Sequence, residues 1–166
     1  MAVAAGGGAV TFTLSAASRA TLVGVHPRLV AVVERAIVLT SQDFAVHDGL
    51  REPSEQAALV AAGVSRTMHS KHVRHADGYG HAVDLVPFIA GRLRWDWPGC
   101  YRVAVAMRAA AVEAGLPVTW GGVWDRDLRD LPADPDGMAA AAADYQKRKG
   151  GRGFVDGPHF EIRGPG

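Results

Sequence analysis

The sequence has few cysteines, little net charge and no long apolar run. Its 166 residues include one cysteine, Cys100, which excludes an internal disulfide and a cysteine-based zinc site. Any metal site must therefore use histidine and carboxylate side chains. The formal net charge is +1 with the histidines neutral, so the chain lacks the strong positive field of a nucleic-acid-binding protein, and we expect no nucleic-acid partner.

No segment approaches the roughly 18 consecutive apolar residues of a membrane span, and the N-terminal residues lack the basic start and long apolar middle of a secretory signal. We therefore expect a protein that has no membrane span and is made in a cytoplasm. No repeat or shift in composition divides the chain, so residues 15–166 are expected to form a single domain. Residues 1–14, with consecutive glycines at positions 6–8, are interpreted as a flexible arm or an edge strand.

Hydrophobic periodicity predicts both helices and short strands. Helical spacing and cap residues predict helices over residues 27–40, 54–63, 98–114 and 138–149, with Ser54 as the N-cap of the second. Short apolar segments predict strands over residues 44–47, 81–88, 93–95, 118–120 and 160–162. Residues 64–80 are polar and have neither period, which indicates a long functional loop. The expected fold class is α+β, with a small antiparallel sheet flanked by helices.

Histidine is concentrated around this predicted loop. Four of the seven histidines lie within residues 68–81, and a second group of acid and histidine, Asp156 and His159, lies near the C-terminus. A catalytic zinc ion usually has three protein ligands and one open position for water, and neutral imidazoles with one carboxylate meet that requirement. The two distant segments can therefore close on one metal ion.

Asp84 lies on the predicted strand that follows the loop. Because side chains alternate along a strand, His81 faces away from Asp84 and is a poor partner for it in a metal site. A histidine of the loop, His72 or His75, can reach the same metal ion without that conflict, and His69 is a weaker choice. These residues by themselves leave the choice between His72 and His75 open.

Three motifs follow one another along the chain. They are Ser70-Lys71-His72, Gly80-His81-Ala82-Val83-Asp84-Leu85 and Asp156-Gly157-Pro158-His159-Phe160-Glu161. In these motifs the sequence resembles the VanY-type zinc peptidases, whose pattern is S-x-H, then G-x-A-x-D, then a late acid-x-x-H. That family includes D-alanyl-D-alanine carboxypeptidases and the L-alanyl-D-glutamate endopeptidases that serve bacteriophages as endolysins. The resemblance covers residues 22–162 and is strongest to the phage branch, through Gly49-Leu50-Arg51, Gln56, Ser65 and Trp120-Gly121-Gly122.

The resemblance implies a fold of the D-Ala-D-Ala peptidase and hedgehog type. It also implies one zinc ion per chain, with His72, Asp84 and His159 as ligands. Asp156 is then the general base toward a zinc-activated water, and Arg51 stabilises the developing oxyanion. The implied substrate contacts are Ser70, Gln56 and Trp120. Two of these residues also have a purely structural interpretation in place of the functional one. Arg51 is then a surface salt-bridge partner, and Trp120 is a plain core residue.

The spacing of the first ligand differs from the family pattern. His72 precedes Asp84 by twelve positions, whereas the family usually has seven, so about five additional residues lie in the loop 73–79. A surface loop tolerates such an insertion at little cost in free energy. Because Ser70 stands two residues before His72, as the family pattern requires, we predict His72 rather than His75 as the ligand.

The resemblance implies an endolysin that cleaves the L-alanyl-D-glutamate bond in the peptide stems of peptidoglycan. The enzyme would be a monomer that stays in the host cytoplasm until holin-dependent release brings it to the cell wall. Two alternatives stay open. One is a D-alanyl-D-alanine carboxypeptidase with the same zinc site, and the other is a non-catalytic zinc-binding module that recognises the wall.

Overall fold

A computed structural model describes residues 8–164 of the chain. Within this range the helices are α1 (Ala16–Thr21), α2 (Pro27–Leu39), α3 (Pro53–Ala61), α4 (Trp97–Ala114) and α5 (Pro135–Arg148). The strands are β1 (Phe44–Asp48), β2 (Ala82–Ile89), β3 (Arg92–Leu93), β4 (Val118–Trp120) and β5 (His159–Ile162), and a short 3₁₀ helix covers Leu128–Asp130. The predicted α+β class with a small antiparallel sheet is confirmed.

The sheet has the strand order β1-β2-β5-β4, and β3 pairs with β2 as a hairpin. All of the pairings in it are antiparallel. In the register of the central strands, Asp84 of β2 lies opposite His159 of β5 on one side and Asp48 of β1 on the other. Residues directly opposite each other on neighbouring strands share a face of the sheet. This register therefore brings the second and third sequence motifs into contact.

Helix α4 forms the centre of the helical layer, where it packs against α2 and α5 and contacts β2. Its first turn is capped by the Asp96 side chain, which accepts from the Gly99 N–H, and it ends at Gly115 in the left-handed conformation. The apolar residues whose helical spacing predicted α2 are all buried, and α2 packs against α4. They are Leu29, Val32, Val33, Ala36 and Ile37. None of the helices in the described part of the chain has the length and apolar character of a membrane span.

The N-terminal segment was expected to be a flexible arm or an edge strand, and its described part forms no strand. Residues 1–7 of the predicted arm lie outside the described part of the chain, and residues 8–14 contain no strand. Helix α1, which the sequence pattern did not predict, packs on β1, and the Ser18 hydroxyl accepts a hydrogen bond from the Val46 N–H at 3.0 Å. The edge of β1 that an additional strand would need is thus occupied by α1.

The start of α3 also differs from its prediction. Its N-cap is Glu52 rather than Ser54, because Pro53 takes the first helical position, where its missing N–H is not needed. The Glu55 carboxylate accepts from the Glu52 N–H at 2.7 Å and completes a capping box. After α3 the chain runs without regular structure from residue 64 to residue 80, apart from isolated bridges, as predicted.

Candidate metal centre

The structure brings His72, Asp84 and His159 together, and one ligand atom from each lies within 4.8 Å of the other two. His72 Nε2 is 3.3 Å from Asp84 Oδ1, and His159 Nδ1 is 3.1 Å from the same oxygen. Both imidazoles are buried. Two imidazoles and one carboxylate form a donor set that suits a divalent transition metal such as zinc. This group can therefore hold a metal ion.

The position of His72 depends on contacts between the loop and the segment that follows β1. The His72 carbonyl oxygen accepts a hydrogen bond from the Arg51 N–H at 2.9 Å, and Val73 forms a bridge with Arg51. Gly80 closes the loop so tightly that a Cβ atom there would lie 2.9 Å from the same carbonyl oxygen. The loop backbone is thus held at His72 and again at Gly80. The additional residues lie between these two positions.

Contacts on the outer nitrogens determine which nitrogen of each imidazole faces the centre. His72 Nδ1 lies 2.7 Å from the Gly49 carbonyl oxygen, which can only accept, so Nδ1 is the donor of this hydrogen bond and Nε2 faces Asp84. His159 Nε2 lies 2.9 Å from Glu161 Oε2 and leaves Nδ1 to face Asp84. Hydrogen bonds of this kind orient metal-binding imidazoles and raise their basicity.

The charges of the centre stabilise one another. Burial by itself would raise the pKa of Asp84, but hydrogen bonds from His159 and His72 outweigh it and hold that pKa below its usual range. For His159, burial lowers the pKa, and the carboxylates of Asp84 and Glu161 more than reverse this effect and raise it to about 9. Metal ligands must be deprotonated, so a metal ion has to displace a proton from this imidazole.

Asp156 lies in the same cleft, three residues before His159. Its N–H donates to the Gly121 carbonyl oxygen at 2.9 Å, and its own carbonyl oxygen accepts from the His159 N–H at 3.1 Å. Burial raises the pKa of the Asp156 carboxyl, and the negative charge of Asp84 adds to the rise. A carboxylate with increased proton affinity beside a metal-binding group has the properties of a general base.

Arg51 also lines the cleft, with 13% of its side chain exposed. One guanidinium nitrogen donates to Gln56 Oε1 at 2.6 Å, and another forms a hydrogen-bonded ion pair with Asp48. The structure thus combines the two predicted alternatives for Arg51, because the residue is both a salt-bridge partner and part of the cleft. Its two acceptors hold the guanidinium in one orientation.

Gln56 is not placed for the direct substrate contact that was expected. Its side chain is fully buried and does not line the cleft. The Gln56 amide accepts from Arg51 and donates to Ser65 Oγ, at 2.9 Å, and to the Thr67 carbonyl oxygen. Gln56 is therefore a support for Arg51 and the loop. Ser70, by contrast, does line the cleft, and its hydroxyl accepts from the His72 N–H at 3.2 Å.

Trp120 does not line the cleft either, so the structure gives it the core position that was the alternative to a substrate contact. It is fully buried in the core, and its indole N–H donates to the Gly157 carbonyl oxygen at 2.7 Å. The tryptophan that lines the cleft is Trp124, whose ring centroid lies 5.1 Å from that of His159 and 6.0 Å from that of Phe154. The sequence pattern missed Trp124 because this residue follows the glycine turn in a segment without helix or strand period.

Replacing Trp120 with phenylalanine is expected to destabilise the fold by about 1–3 kcal/mol, because the buried Gly157 carbonyl oxygen loses its donor. Chemical denaturation followed by circular dichroism measures this free energy of unfolding. The matched control is Trp95→Phe at a side chain that is 58% exposed, where a change within about 0.5 kcal/mol is expected. Equal stability of the two variants would contradict the structural role of Trp120.

His75 lies outside the cleft. Its ring stacks on His81 at a centroid distance of 4.1 Å, and its Nε2 is buried without a hydrogen-bond partner among the described residues. His81 in turn contacts Asp77, with 2.7 Å between Nε2 and Oδ2, and so faces away from Asp84, as strand alternation predicts. His69 lines the cleft but is not part of the ligand group. Of the loop histidines, the structure therefore places His72 with Asp84.

A cleft of about 840 Å³ lies over the ligand group. Besides the ligand residues, Asp156, Glu161 and Arg51 line it. The loop after α3 contributes Gly63, Val64, Ser65, Arg66, Thr67, His69, Ser70 and Lys71, and the aromatic lining consists of Trp124, Tyr145 and Phe154. The cleft thus offers carboxylates, cations and apolar rings around one candidate metal centre, a combination suited to binding a peptide.

The comparisons with known proteins agree with one another. The family model of the phage L-alanyl-D-glutamate peptidases matches residues 10–163. The chain is 28% identical over 154 residues to the L-alanyl-D-glutamate peptidase of Escherichia phage T5, with 92% of this chain and 99% of that protein covered. It is 28% identical over 117 residues to the L-alanyl-D-glutamate peptidase of Listeria phage A118, with 70% of this chain and 29% of that protein covered. The crystal structure of the Serratia marcescens L-Ala D-Glu endopeptidase ChiX is similar with a TM-score of 0.67 and 35% identity, and the match covers 94% of this chain and 92% of that one.

Proposed function

The chain belongs to the phage L-alanyl-D-glutamate peptidase family, and from this premise we propose that it is a metal-dependent endopeptidase of bacterial peptidoglycan. Its scissile bond is the one between L-alanine and D-glutamate in the stem peptide. The observation that carries the proposal is the group of His72, Asp84 and His159 at the base of a peptide-sized cleft, in a chain that matches the family over nearly its whole length.

The metal proposed for this group is one zinc ion per chain. His72 would contribute Nε2, His159 would contribute Nδ1 and Asp84 a carboxylate oxygen. The hydrogen bonds from the outer nitrogens to Gly49 and Glu161 support this assignment, because they leave His72 Nε2 and His159 Nδ1 beside the Asp84 carboxylate as the nitrogens available to a metal ion. When bound, zinc supplies a Lewis acid that polarises a peptide carbonyl and makes water a nucleophile at neutral pH.

The remaining roles are carried by the chain's own side chains. The Asp156 carboxylate accepts the proton of the attacking water and later returns it to the leaving amine, for which its burial and raised pKa suit it. The Arg51 guanidinium, held by Asp48 and Gln56, donates to the carbonyl oxygen as negative charge develops on it. Ser70, which lines the cleft, is proposed as a substrate contact.

The assembly and site of action follow from the same proposal. A single catalytic domain over residues 15–166 would act as a monomer on peptidoglycan. The enzyme would be stored in the host cytoplasm and reach the wall after holin-dependent release. The supporting observations are that the ligands, the base and the arginine all come from this one chain, and that its phage relatives carry the same peptidase name.

Replacing Glu161 with alanine is expected to weaken zinc affinity by about 10–100-fold, because the His159 imidazole loses the acceptor that fixes its tautomer and orientation. Glu161→Gln should lose less, since an amide oxygen still accepts from Nε2 but lacks the charge. A competition titration with a chromophoric chelator measures the affinity. The control is Glu113→Ala, at an exposed ion pair with Arg35. Unchanged affinity in Glu161→Ala would refute the supporting role.

Analysis of digestion products tests the function. Purified peptidoglycan is incubated with the zinc-loaded chain, and the soluble fragments are sequenced by mass spectrometry. New amino ends on D-glutamate support the proposed endopeptidase. Released free D-alanine with intact L-alanyl-D-glutamate bonds would instead establish a D-alanyl-D-alanine carboxypeptidase. Zinc binding without any product from peptidoglycan of several bacteria would establish a non-catalytic wall-binding module.

A further inference from the structure

The chemistry of the proposed substrate places a negative charge close to the scissile bond. Glutamate has two carboxyl groups, and continuation of the peptide stem uses one of them as an amide. The other stays a free carboxylate on the residue that supplies the leaving nitrogen. If the proposed function holds, on which this inference rests, the cleft must accept that carboxylate within one residue of the metal centre.

The carboxylates of the cleft make this requirement demanding. Asp84, Asp156 and Glu161 all line it, and each would repel a substrate carboxylate. Asp84 and Glu161 are engaged by the two ligand imidazoles. Because an uncompensated charge in a partly enclosed cleft is costly, binding of the substrate calls for a cation that is not already neutralised by the protein.

Two of the cations that line the cleft meet this condition. Arg51 is already paired with Asp48. Across residues 8–164, neither Arg66 nor Lys71 forms an ion pair with a carboxylate. The Lys71 ammonium donates to the carbonyl oxygen of Gly164 at 2.7 Å, which is a neutral partner, so no carboxylate of residues 8–164 neutralises its charge.

The backbone at both cations is held in place. The Lys71 carbonyl oxygen accepts from the His81 N–H at 2.7 Å, and the next residue along the chain is the ligand His72. Arg66 lies between Ser65 and Thr67, and the buried Gln56 amide hydrogen-bonds to both of these neighbours. The buried Gln56 amide thus holds the loop on each side of Arg66.

We propose that Arg66 and Lys71 form a carboxylate-binding subsite that recognises the free carboxyl group of the substrate glutamate. Arginine and lysine are the side chains that bind carboxylates through charge-assisted hydrogen bonds. The subsite makes the enzyme selective for stems in which this carboxyl group is free over stems in which it is amidated. Selectivity of this kind follows because a carboxamide offers no charge to either cation.

Two synthetic stem peptides test the subsite. Both contain the L-alanyl-D-glutamate bond, and they differ only in whether the remaining glutamate carboxyl is a carboxylate or a carboxamide. We expect Arg66→Gln and Lys71→Met each to lower kcat/KM on the carboxylate peptide by about tenfold, mostly through KM, as for loss of a hydrogen bond to a charged group. On the carboxamide peptide the same variants should change little. Arg66→Lys and Lys71→Arg, which retain the charge, should recover most of the loss.

The matched controls are Arg102→Gln and Lys147→Met, at exposed positions that do not line the cleft, and neither should change the ratio between the two peptides. Equal losses on both peptides in the Arg66 and Lys71 variants would overturn the subsite while the proposed function stands. Cleavage of neither peptide by the unmodified zinc-loaded chain would overturn both. A melting temperature for each variant separates loss of the Lys71 bond to Gly164 from loss of substrate binding.

Discussion

The His72→Ala variant is expected to lose tight zinc binding and with it all measurable peptidase activity, whereas His75→Ala keeps its zinc and loses activity only modestly. The first change removes one of three ligands and admits water to the centre, so its cost exceeds the roughly 10–100-fold that loss of a supporting contact produces. The second change removes a ring that stacks on His81 outside the cleft.

Metal analysis after dialysis of both purified variants measures the difference, and each variant is the control for the other. They remove the same side chain from the same loop, three positions apart. Circular dichroism and melting temperatures establish that both are folded. Zinc retained by His72→Ala and lost by His75→Ala would mean that the additional loop residues precede the true ligand, and that the arrangement of His72 beside Asp84 is not the one that binds metal.

The Asp156→Asn variant is expected to keep its zinc while turnover falls by about 10²–10⁴-fold, the usual contribution of a general acid or base. Asparagine has nearly the same shape as aspartate, and the hydrogen bonds to Gly121 and His159 come from the backbone of residue 156, so the turn should persist. The amide cannot take a proton from water. Metal content and activity should therefore separate in this variant.

The measurement combines zinc stoichiometry with the initial rate of peptidoglycan solubilisation. Asp144→Asn is the control, because this exposed carboxylate forms a surface ion pair with Lys147 and does not line the cleft. Both properties should be unchanged there. If Asp156→Asn lost zinc as completely as His72→Ala does, Asp156 would be a ligand or a structural support rather than the proton acceptor.

The parts of the fold that were predicted well have local causes. Helix α2 repeats apolar residues at helical spacing after Pro27, and α4 lies between Pro98 in its first turn and Gly115 at its end, so both were recognisable from neighbouring residues. Helix α1 has only six residues, too few for a periodic pattern. The edge strand, one of the two alternatives for the N-terminal segment, is absent from residues 8–14 for a non-local reason, since it is the packing of α1 that leaves no free edge on β1.

Of the proposed centre, the sequence by itself determined the donor types and their order along the chain, whereas the strand register that places Asp84 opposite His159 came from the structure. With one cysteine in the chain, the candidates were limited to imidazoles and carboxylates. The alternation of the predicted strand over residues 81–88 made His81 a poor partner of Asp84. These conclusions need only residue chemistry and the period of a strand.

Only the tertiary structure decided which side chains support the centre and which form its surroundings. Trp120 and Trp124 are both aromatic and four positions apart, yet one is core and the other lines the cleft. The acceptors that orient the two imidazoles are the Gly49 carbonyl oxygen and Glu161, and the first of these lies 23 positions from its histidine. The physical reason is that burial and hydrogen-bond partners depend on segments far apart in sequence, whereas periodicity and spacing describe only neighbours along the chain.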